Sequence, residues 1–267
     1  MSQQRTLVMG ILNLTPDSFA DGGRHFKYED AVARTKVMIS EGVDIIDVGG
    51  ESTRPGAERV SESEEIDRVV PIITELVELG IDVSVDTMRA TTARAAIAAG
   101  AKYVNDVSGG LADKEMAKVI AANPSIQYIA MHWRGHSKDM NSLAIYQDVV
   151  REVKTELEER VEELLKSGVN ADQLILDPGI GFAKNSEHCW ELLRNLDRIS
   201  LLGFPLLVGV SRKRFLGELL ERSNTDERDS ATVAITTELA RQGIWGVRTH
   251  SVRPHRDAIA VVEELRK

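Results

Sequence analysis

Leu174-Ile-Leu-Asp-Pro-Gly-Ile-Gly-Phe-Ala-Lys184 is an apolar run that ends in a carboxylate and continues into a glycine-rich turn. An amphipathic pattern begins near Ser186. The stretch predicts a buried strand, a turn and a helix, with Asp177 at the carboxyl end of the strand. The glycines let the backbone approach a ligand closely, and Phe182 offers a ring to a flat partner. Taken alone, the stretch is explained equally well by an ordinary turn in which Asp177 binds nearby amides.

This strand–turn–helix unit recurs along all 267 residues. Strands are predicted near residues 7–12, 44–48, 81–85, 102–104, 126–130, 174–176, 205–208 and 245–247. Helices are predicted near residues 28–41, 62–79, 89–99, 113–122, 145–167, from 186, 212–221, 228–242 and 254–265. The alternation predicts an α/β fold, and eight repeats predict a closed (β/α)₈ TIM barrel as a single domain over residues 1–267. A doubly wound open sheet is the alternative.

Two details of this pattern can be checked in a structure. Six joints between a helix and the next strand carry glycine, which is typical of the residue just after a helix. They are Gly42, Gly80, Gly100, Gly168, Gly203 and Gly243. In the helix over 145–167, helical spacing predicts that Ile145 shares the buried face with Val149 and Val153.

Composition limits the function classes. The net charge of −9 argues against nucleic acid or an anionic membrane as the main partner. Residues 205–256 carry nine Lys/Arg against six Asp/Glu, and this local positive charge suits a small anionic ligand. Cys189 is the only cysteine, which excludes an internal disulfide and favours a reducing compartment. With no signal-like start and no long apolar run, we expect a cytoplasmic protein.

Polar or charged residues follow every predicted strand. In a barrel, the carboxyl ends of the strands meet at one rim, where active sites form. Asp, Asn, Ser and Thr at these places are also ordinary helix N-caps, whereas Arg and Lys are not. The rim residues therefore predict a binding site: Asn13, Asp86, Asn105, Met131, His132, Asp177, Ser211, Lys213, Arg248, Thr249 and His250.

These rim residues divide into two sets by their chemistry. The first set has hydrogen-bond donors and acceptors suited to a flat heterocycle with ring nitrogens and an exocyclic amine. Its members are Asp86, Asn105, Asp177 and Lys213. The second set, which is suited to phosphate oxygens and Mg²⁺, consists of Asn13, Arg248 and His250. Asn13 offers a neutral oxygen to the metal. No zinc-type His/Cys spacing, Walker sequence or nucleophile elbow occurs, so covalent catalysis is not predicted.

The chain resembles the dihydropteroate synthase family over nearly its whole length. The matching stretches, in family order, are residues 9–19, 47–56, 83–87, 105–110, 131–132, 177–182, 211–213 and 248–250. Two departures are slight: Ala20 stands where the family more often has Ser, and Thr249 where Val is usual. Neither departure removes a functional group that the family's mechanism needs.

The resemblance implies a homodimeric barrel that joins 7,8-dihydropterin-6-ylmethyl diphosphate to 4-aminobenzoate, giving 7,8-dihydropteroate and diphosphate with Mg²⁺ as cofactor. Matched by motif, the catalytic residues are Asp86, Asp177, Lys213, Arg248 and His250. The substrate-binding residues are these five together with Asn13, Thr53, Arg54, Pro55, Asn105, Met131, Phe182, Ser211 and Thr249, and Asn13 is the metal ligand. Loops containing Phe19 and Arg54 are expected to close over the mouth of the barrel.

Two other functions are compatible with parts of this pattern. A pterin-binding methyltransferase domain shares the barrel and part of the pterin pocket, but it needs neither a diphosphate site nor aminobenzoate loops. A duplicated copy could bind pterin without turnover. The intact stretches 53–55, 211–213 and 248–250 favour the synthase.

Overall fold

A computed structural model of the chain describes residues 5–14, 24–51, 60–135 and 142–267. Eight parallel strands form its centre in the order β6-β5-β4-β3-β2-β1-β8-β7. They are β1 Leu7–Asn13, β2 Ile45–Gly49, β3 Asp82–Asp86, β4 Tyr103–Asp106, β5 Gln127–Met131, β6 Leu174–Asp177, β7 Leu207–Val208 and β8 Gly246–Thr249. A parallel bridge between Leu176 and Leu206 joins the two outer strands. The ring closes there, so the (β/α)₈ barrel is confirmed and the open sheet is excluded.

Ten α-helices surround the strands in the described part of the chain. They are α1 Arg24–Ser40, α2 Glu62–Glu78, α3 Ala90–Ala98, α4 Met116–Ala121, α5 Val149–Lys166, α6 Ser186–Arg194, α7 Leu196–Ser200, α8 Arg214–Leu220, α9 Asp229–Gln242 and α10 Arg253–Leu265. All six predicted joint glycines have positive φ, between 76° and 101°, as expected for residues that end a helix. None of these helices has the length and hydrophobicity needed to cross a membrane.

The prediction was wrong at the start of α5. The helix begins at Val149, because the Asp148 side chain accepts a hydrogen bond from Arg151 N at 3.0 Å and caps it. Ile145 lies before this cap and is 76% exposed. The helical spacing of apolar residues thus extends beyond Asp148, the capping residue at which the helix begins.

The interior of the barrel is apolar at one end and polar at the other. Five buried side chains plug the first end: Met9, Ile45, Ile129, Ile175 and Leu207. Alternate residues of a strand face the same side, so the next inward positions toward the carboxyl ends include Asp47, Met131 and Asp177. The predicted functional residues therefore stand on an apolar floor that fixes their backbone.

Candidate functional site

A cavity of about 610 Å³ opens at the carboxyl ends of the strands. It brings together predicted site residues from six strands or the loops that follow them: Asn13, Asn105, Met131, Asp177, Phe182, Ser211, Lys213, Arg248 and His250. Asp86 is buried at the end of β3 and contacts Arg248. The predicted Phe19, Thr53, Arg54 and Pro55 lie outside the described residues.

Arg248 lies among the carboxylates of the predicted heterocycle set. Its Nε donates to Asp47 Oδ2 at 2.6 Å, and its Nη2 donates to Asp86 Oδ2 at 2.7 Å. The two predicted sets are therefore in contact through Arg248 and Asp86, because the long Arg248 side chain reaches across the barrel from β8. Sequence reasoning also assigned no role to Asp47, which accepts a second bond from Asn105 Nδ2 at 2.9 Å.

Burial dominates the electrostatics of the two predicted carboxylates. It raises the pKa of Asp86 to about 7, against the opposing effect of Arg248. It also raises the pKa of Asp177, against the effects of Lys213 and of a 2.7 Å bond from Gly179 N. A buried carboxylate gains most from a ligand that offers N–H groups or positive charge. Both groups are therefore suited to a nitrogen-rich ligand.

The turn after β6 brings the backbone close to its neighbours. Gly179 has φ 66°, and a Cβ there would lie 2.5 Å from the carbonyl oxygen of His132, so only glycine fits. Lys213 Nζ donates to the carbonyl of Ile180 and lies 4.8 Å from the ring centroid of Phe182. Burial lowers the pKa of Lys213 to about 8. The turn thus presents Asp177, the lysine and an aromatic face in one place.

A buried polar chain behind this turn was not predicted. Lys184 Nζ donates to His132 Nδ1 at 2.9 Å and to the carbonyl of Phe182 at 3.0 Å. His132 Nε2 lies 2.9 Å from Glu156 Oε2, which Arg134 also binds. Burial lowers the pKa of Lys184 to about 7 and that of His132 to about 4. The chain holds the Phe182 backbone, and no sequence signal links its members.

Ser211 fixes the ring of His250. Ser211 Oγ accepts a bond from His250 N at 3.2 Å and lies 2.9 Å from His250 Nδ1. The direction of the bond to Nδ1 depends on the tautomer of the ring, and in either tautomer the two contacts with Ser211 fix the orientation of the ring.

Thr249 faces the other side of β8. Its side chain is buried, and its Oγ1 lies 2.9 Å from Nε2 of His255 in α10. The side chain of Thr249 is therefore turned away from the inward-facing residues of β8, because alternate residues point to opposite faces of a strand, and its predicted role in substrate binding stays a prediction.

Asn13 Oδ1 and Asp86 Oδ2 both lie near Gly49, and Asp86 Oδ2 also accepts from Arg248 Nη2. A Cβ on Gly49 would lie 3.4 Å from Asn13 Oδ1 and 3.8 Å from Asp86 Oδ2. No group of three or more His, Cys, Asp or Glu among the described residues could hold a metal alone. Mg²⁺ commonly takes one or two protein oxygens and fills its shell with phosphate and water. The two residues fit such an ion when a diphosphate accompanies it.

Comparison with known proteins identifies the family. The model of the pterin binding enzymes matches residues 9–250. The chain belongs to the pterin-binding enzyme family. A dihydropteroate synthase from Mycobacterium leprae is 46% identical over 98% of this chain and 94% of its own length. One from Synechocystis is 45% identical over 98% of this chain and 91% of its own.

Solved structures of the pterin-binding family superpose closely. Dihydropteroate synthase from Xanthomonas albilineans with 4-aminobenzoic acid matches with a TM-score of 0.93 and 39% identity, covering 100% of this chain and 95% of its own. The enzyme in complex with 7,8-dihydropteroate matches with a TM-score of 0.89 and 36% identity, again over 100% and 95%.

A further unpredicted feature of this pterin-binding barrel is a clamp at the two ends of segment 52–59. Arg89 Nη2 donates to Glu51 Oε2 at 2.8 Å and to the carbonyl of Val60 at 2.7 Å. Its Nη1 binds Glu65, which is buried and also accepts a bond from Thr92 Oγ1 at 3.0 Å. We define this group, Glu51, Val60, Glu65 and Arg89, as the Arg89 clamp.

Acid is expected to destabilise the barrel through His255. Burial lowers its pKa from 6.5 to about 4, so between these values the unfolded chain binds more protons than the folded one. Stability is therefore full above pH 6.5 and falls by about 3 kcal/mol as the pH drops to 4. Denaturant titrations at pH 4, 5.5 and 7 should show this loss, and His255→Gln should reduce it. Equal pH dependence in both proteins would contradict the prediction.

Proposed function

We propose that this chain condenses 7,8-dihydropterin-6-ylmethyl diphosphate with 4-aminobenzoate to give 7,8-dihydropteroate and diphosphate in folate biosynthesis. The observation that carries the proposal is a single cavity that joins buried carboxylates to a phosphate-type donor. Asp177 and the neighbouring Asp86 supply the carboxylates, and His250 supplies the donor. The near-full-length identity to dihydropteroate synthases supports the same reaction.

The carboxylate half of the cavity holds the pterin. Asp177 accepts hydrogen bonds from its amine and ring N–H edge, while Lys213 donates to its oxygen. As the bond between the methylene carbon and the departing oxygen breaks, positive charge spreads over the pterin. The negative charges of Asp86 and Asp177 stabilise that charge more in the transition state than in the ground state.

The opposite half holds the diphosphate. His250, fixed by Ser211, donates to its oxygens, and Arg248 contributes positive charge at the boundary of the two halves. Asn13, with Asp86 beside it, would hold Mg²⁺, which supplies charge neutralisation for the leaving group when it is bound. No protein base is required for the acceptor, because the arylamine lone pair is free at neutral pH.

The acceptor lies against Phe182. The Phe182 ring borders the cavity, and Lys184 and Lys213 bind backbone carbonyls of its turn. The arylamine nitrogen attacks the methylene carbon, a C–N bond replaces the C–O bond, and the extra proton passes from the nitrogen to the departing diphosphate. Water must be excluded during this step, since it would capture the cation.

A direct assay separates the synthase from the two alternatives. Purified protein with both substrates and Mg²⁺ should form 7,8-dihydropteroate. Chromatography of the reaction mixture measures the product. A methyltransferase-type domain would bind the pterin but show no response to diphosphate. A copy without turnover would bind both ligands and form no product at high enzyme concentration, and that result would overturn the proposal.

Asp177→Asn is expected to weaken pterin binding by about 2–4 kcal/mol. The variant keeps the shape of the side chain and removes the charge from a buried, charge-assisted hydrogen bond. Calorimetric titration of the pterin substrate into both proteins measures the difference. Glu187→Gln, which lies on the exposed side of α6, is the matched control and should bind as the parent does. Unchanged affinity in Asp177→Asn would remove this residue from the site.

Diphosphate is expected to raise the melting temperature more in the presence of Mg²⁺ than in its absence. A ligand that binds only the folded state stabilises it in proportion to its affinity. In Asn13→Ala the extra protection by Mg²⁺ should shrink, while protection by diphosphate alone persists. A thermal shift that is indifferent to Mg²⁺ in the parent protein would contradict the proposed metal role of Asn13.

The proposed assembly is a homodimer in the cytoplasm that acts on small molecules, with no nucleic acid or membrane partner. The net charge of −9 and the lone cysteine support this setting. The homodimer follows from the family resemblance. Analytical ultracentrifugation of the purified protein tests it, and a monomer at assay concentrations would contradict it.

A further inference from the structure

Asp47 is a buried carboxylate whose bonds all go to residues of the proposed site. It lies on β2 with no exposed surface. Its Oδ2 accepts from Asn105 Nδ2 at 2.9 Å and from Arg248 Nε at 2.6 Å. Among the described residues, Oδ1 has no hydrogen-bond partner. Buried carboxylates that serve stability alone normally have both oxygens satisfied.

The two bonds fix what Asn105 and Arg248 offer to a ligand. Because Oδ2 accepts from Arg248 as well, it also acts as an acceptor toward Asn105, and the Asn105 amide must direct its nitrogen at Asp47. The Asn105 oxygen is then left as the acceptor available to the cavity. The guanidinium of Arg248 is held through Nε, so its plane cannot rotate about the end of the chain.

Stability alone does not account for Asp47. A buried charge costs desolvation energy, and a well-packed apolar group in the same place is often neutral or stabilising. Ser84, the Cα partner of Asp47 on β3, is also buried with its hydroxyl unpartnered among the described residues. The hydrogen bonds that compensate the burial of Asp47 therefore come only from Asn105 and Arg248 among the described residues, and both of these face the cavity.

We propose that Asp47 is a positioning residue for the pterin half of the cavity, which sets the acceptor direction of Asn105 and the plane of Arg248. The inference rests on the proposed function, since it concerns the same site. Asp47 does not touch the ligand. It makes Asn105 select a ligand edge that carries an N–H group, and it makes Arg248 a fixed rather than a mobile cation.

Binding of 7,8-dihydropterin-6-ylmethyl diphosphate, measured by calorimetry without acceptor, tests the proposal. Asp47→Ala should bind at least 30-fold more weakly than the parent, because both contacts are lost. Asp47→Asn can keep an oxygen at the Oδ2 position and should bind within about fivefold of the parent. Ser84→Ala, the matched buried control, should bind within about twofold. Parent-like affinity in Asp47→Ala would overturn the inference.

A second pair of variants tests the direction of the hydrogen bond and does not depend on a deletion. Asn105→Asp sets a carboxylate against Asp47 Oδ2 and should weaken binding at least 100-fold. In the Asp47→Asn background the same change should cost at least tenfold less, because an amide at 47 can donate to the new carboxylate. Additive losses would show that the Asn105–Asp47 hydrogen bond has no effect on ligand binding and would overturn the inference. If the parent protein itself fails to bind the ligand, the proposed function fails as well.

Discussion

Arg248→Met is expected to lower the free energy of unfolding by about 3–5 kcal/mol, because it removes the cation shared by two buried carboxylates. Arg248 binds Asp47 through Nε and Asp86 through Nη2, and its side chain is itself largely buried. Methionine fills much of the volume, so the loss reports the charge. Denaturant titration at pH 7 measures it, and turnover should fall at least 100-fold in the same variant.

The matched control for Arg248 is an exposed ion pair. Lys102 and Asp82 are 65% and 36% exposed, so Lys102→Met should cost less than about 1 kcal/mol. The loss of unfolding free energy caused by Arg248→Met should also depend on pH. The pKa of Asp86 is already raised to about 7 and rises further without the cation, so the loss of stability with rising pH extends to higher pH in the variant. An equal deficit at pH 5 and pH 8 would contradict this reading of the pair.

The barrel was predictable because the sequence pattern of a strand followed by a helix is repeated along the chain. Eight apolar runs, each followed by polar residues and a helical pattern, leave few topologies. Alternation along β8 also indicates that Thr249 faces outward, since Arg248 and His250 face inward, but the prediction of a substrate-binding role for Thr249 did not use this signal. Alternation does not predict whether Asp47 faces the inside of the barrel or the helices. Both faces of a parallel strand are buried, and the neighbours of Asp47, Ile46 and Val48, are buried apolar residues.

Contacts between distant side chains were not predictable. Lys184 and His132 come from different loops, and only the folded barrel brings Nζ to within 2.9 Å of Nδ1. Arg248 was assigned to phosphate by its residue type, yet its length lets it reach the carboxylates of β2 and β3. Residue type predicted which side chains border the cavity. Which of these side chains form hydrogen bonds with one another depends on their length and burial in the folded barrel.

The Arg89 clamp should couple stability to the acceptor site. Arg89→Met leaves the buried Glu65, which is 1% exposed, without its cation, so we expect a loss of about 3–5 kcal/mol in unfolding free energy. It also removes the guanidinium bridge between Glu51 and the Val60 carbonyl, so that the 3.1 Å bond from Val60 N to Glu51 Oε2 alone joins the two ends of segment 52–59. Because the resemblance assigns Thr53, Arg54 and Pro55 to aminobenzoate, the KM for 4-aminobenzoate should rise at least tenfold. Pterin affinity should stay within about threefold.

A double variant separates the two effects of the Arg89 clamp. Arg89→Met with Glu65→Leu removes the buried charge together with its partner, and it should recover most of the lost stability. The KM for 4-aminobenzoate should stay high, because Glu51 and Val60 are still not joined through a guanidinium. Arg194→Met, whose ion pair with Glu191 is exposed, is the control and should change stability by less than about 1 kcal/mol. Recovery of KM along with stability would show that Arg89 acts on the fold alone and would contradict its role in placing the segment.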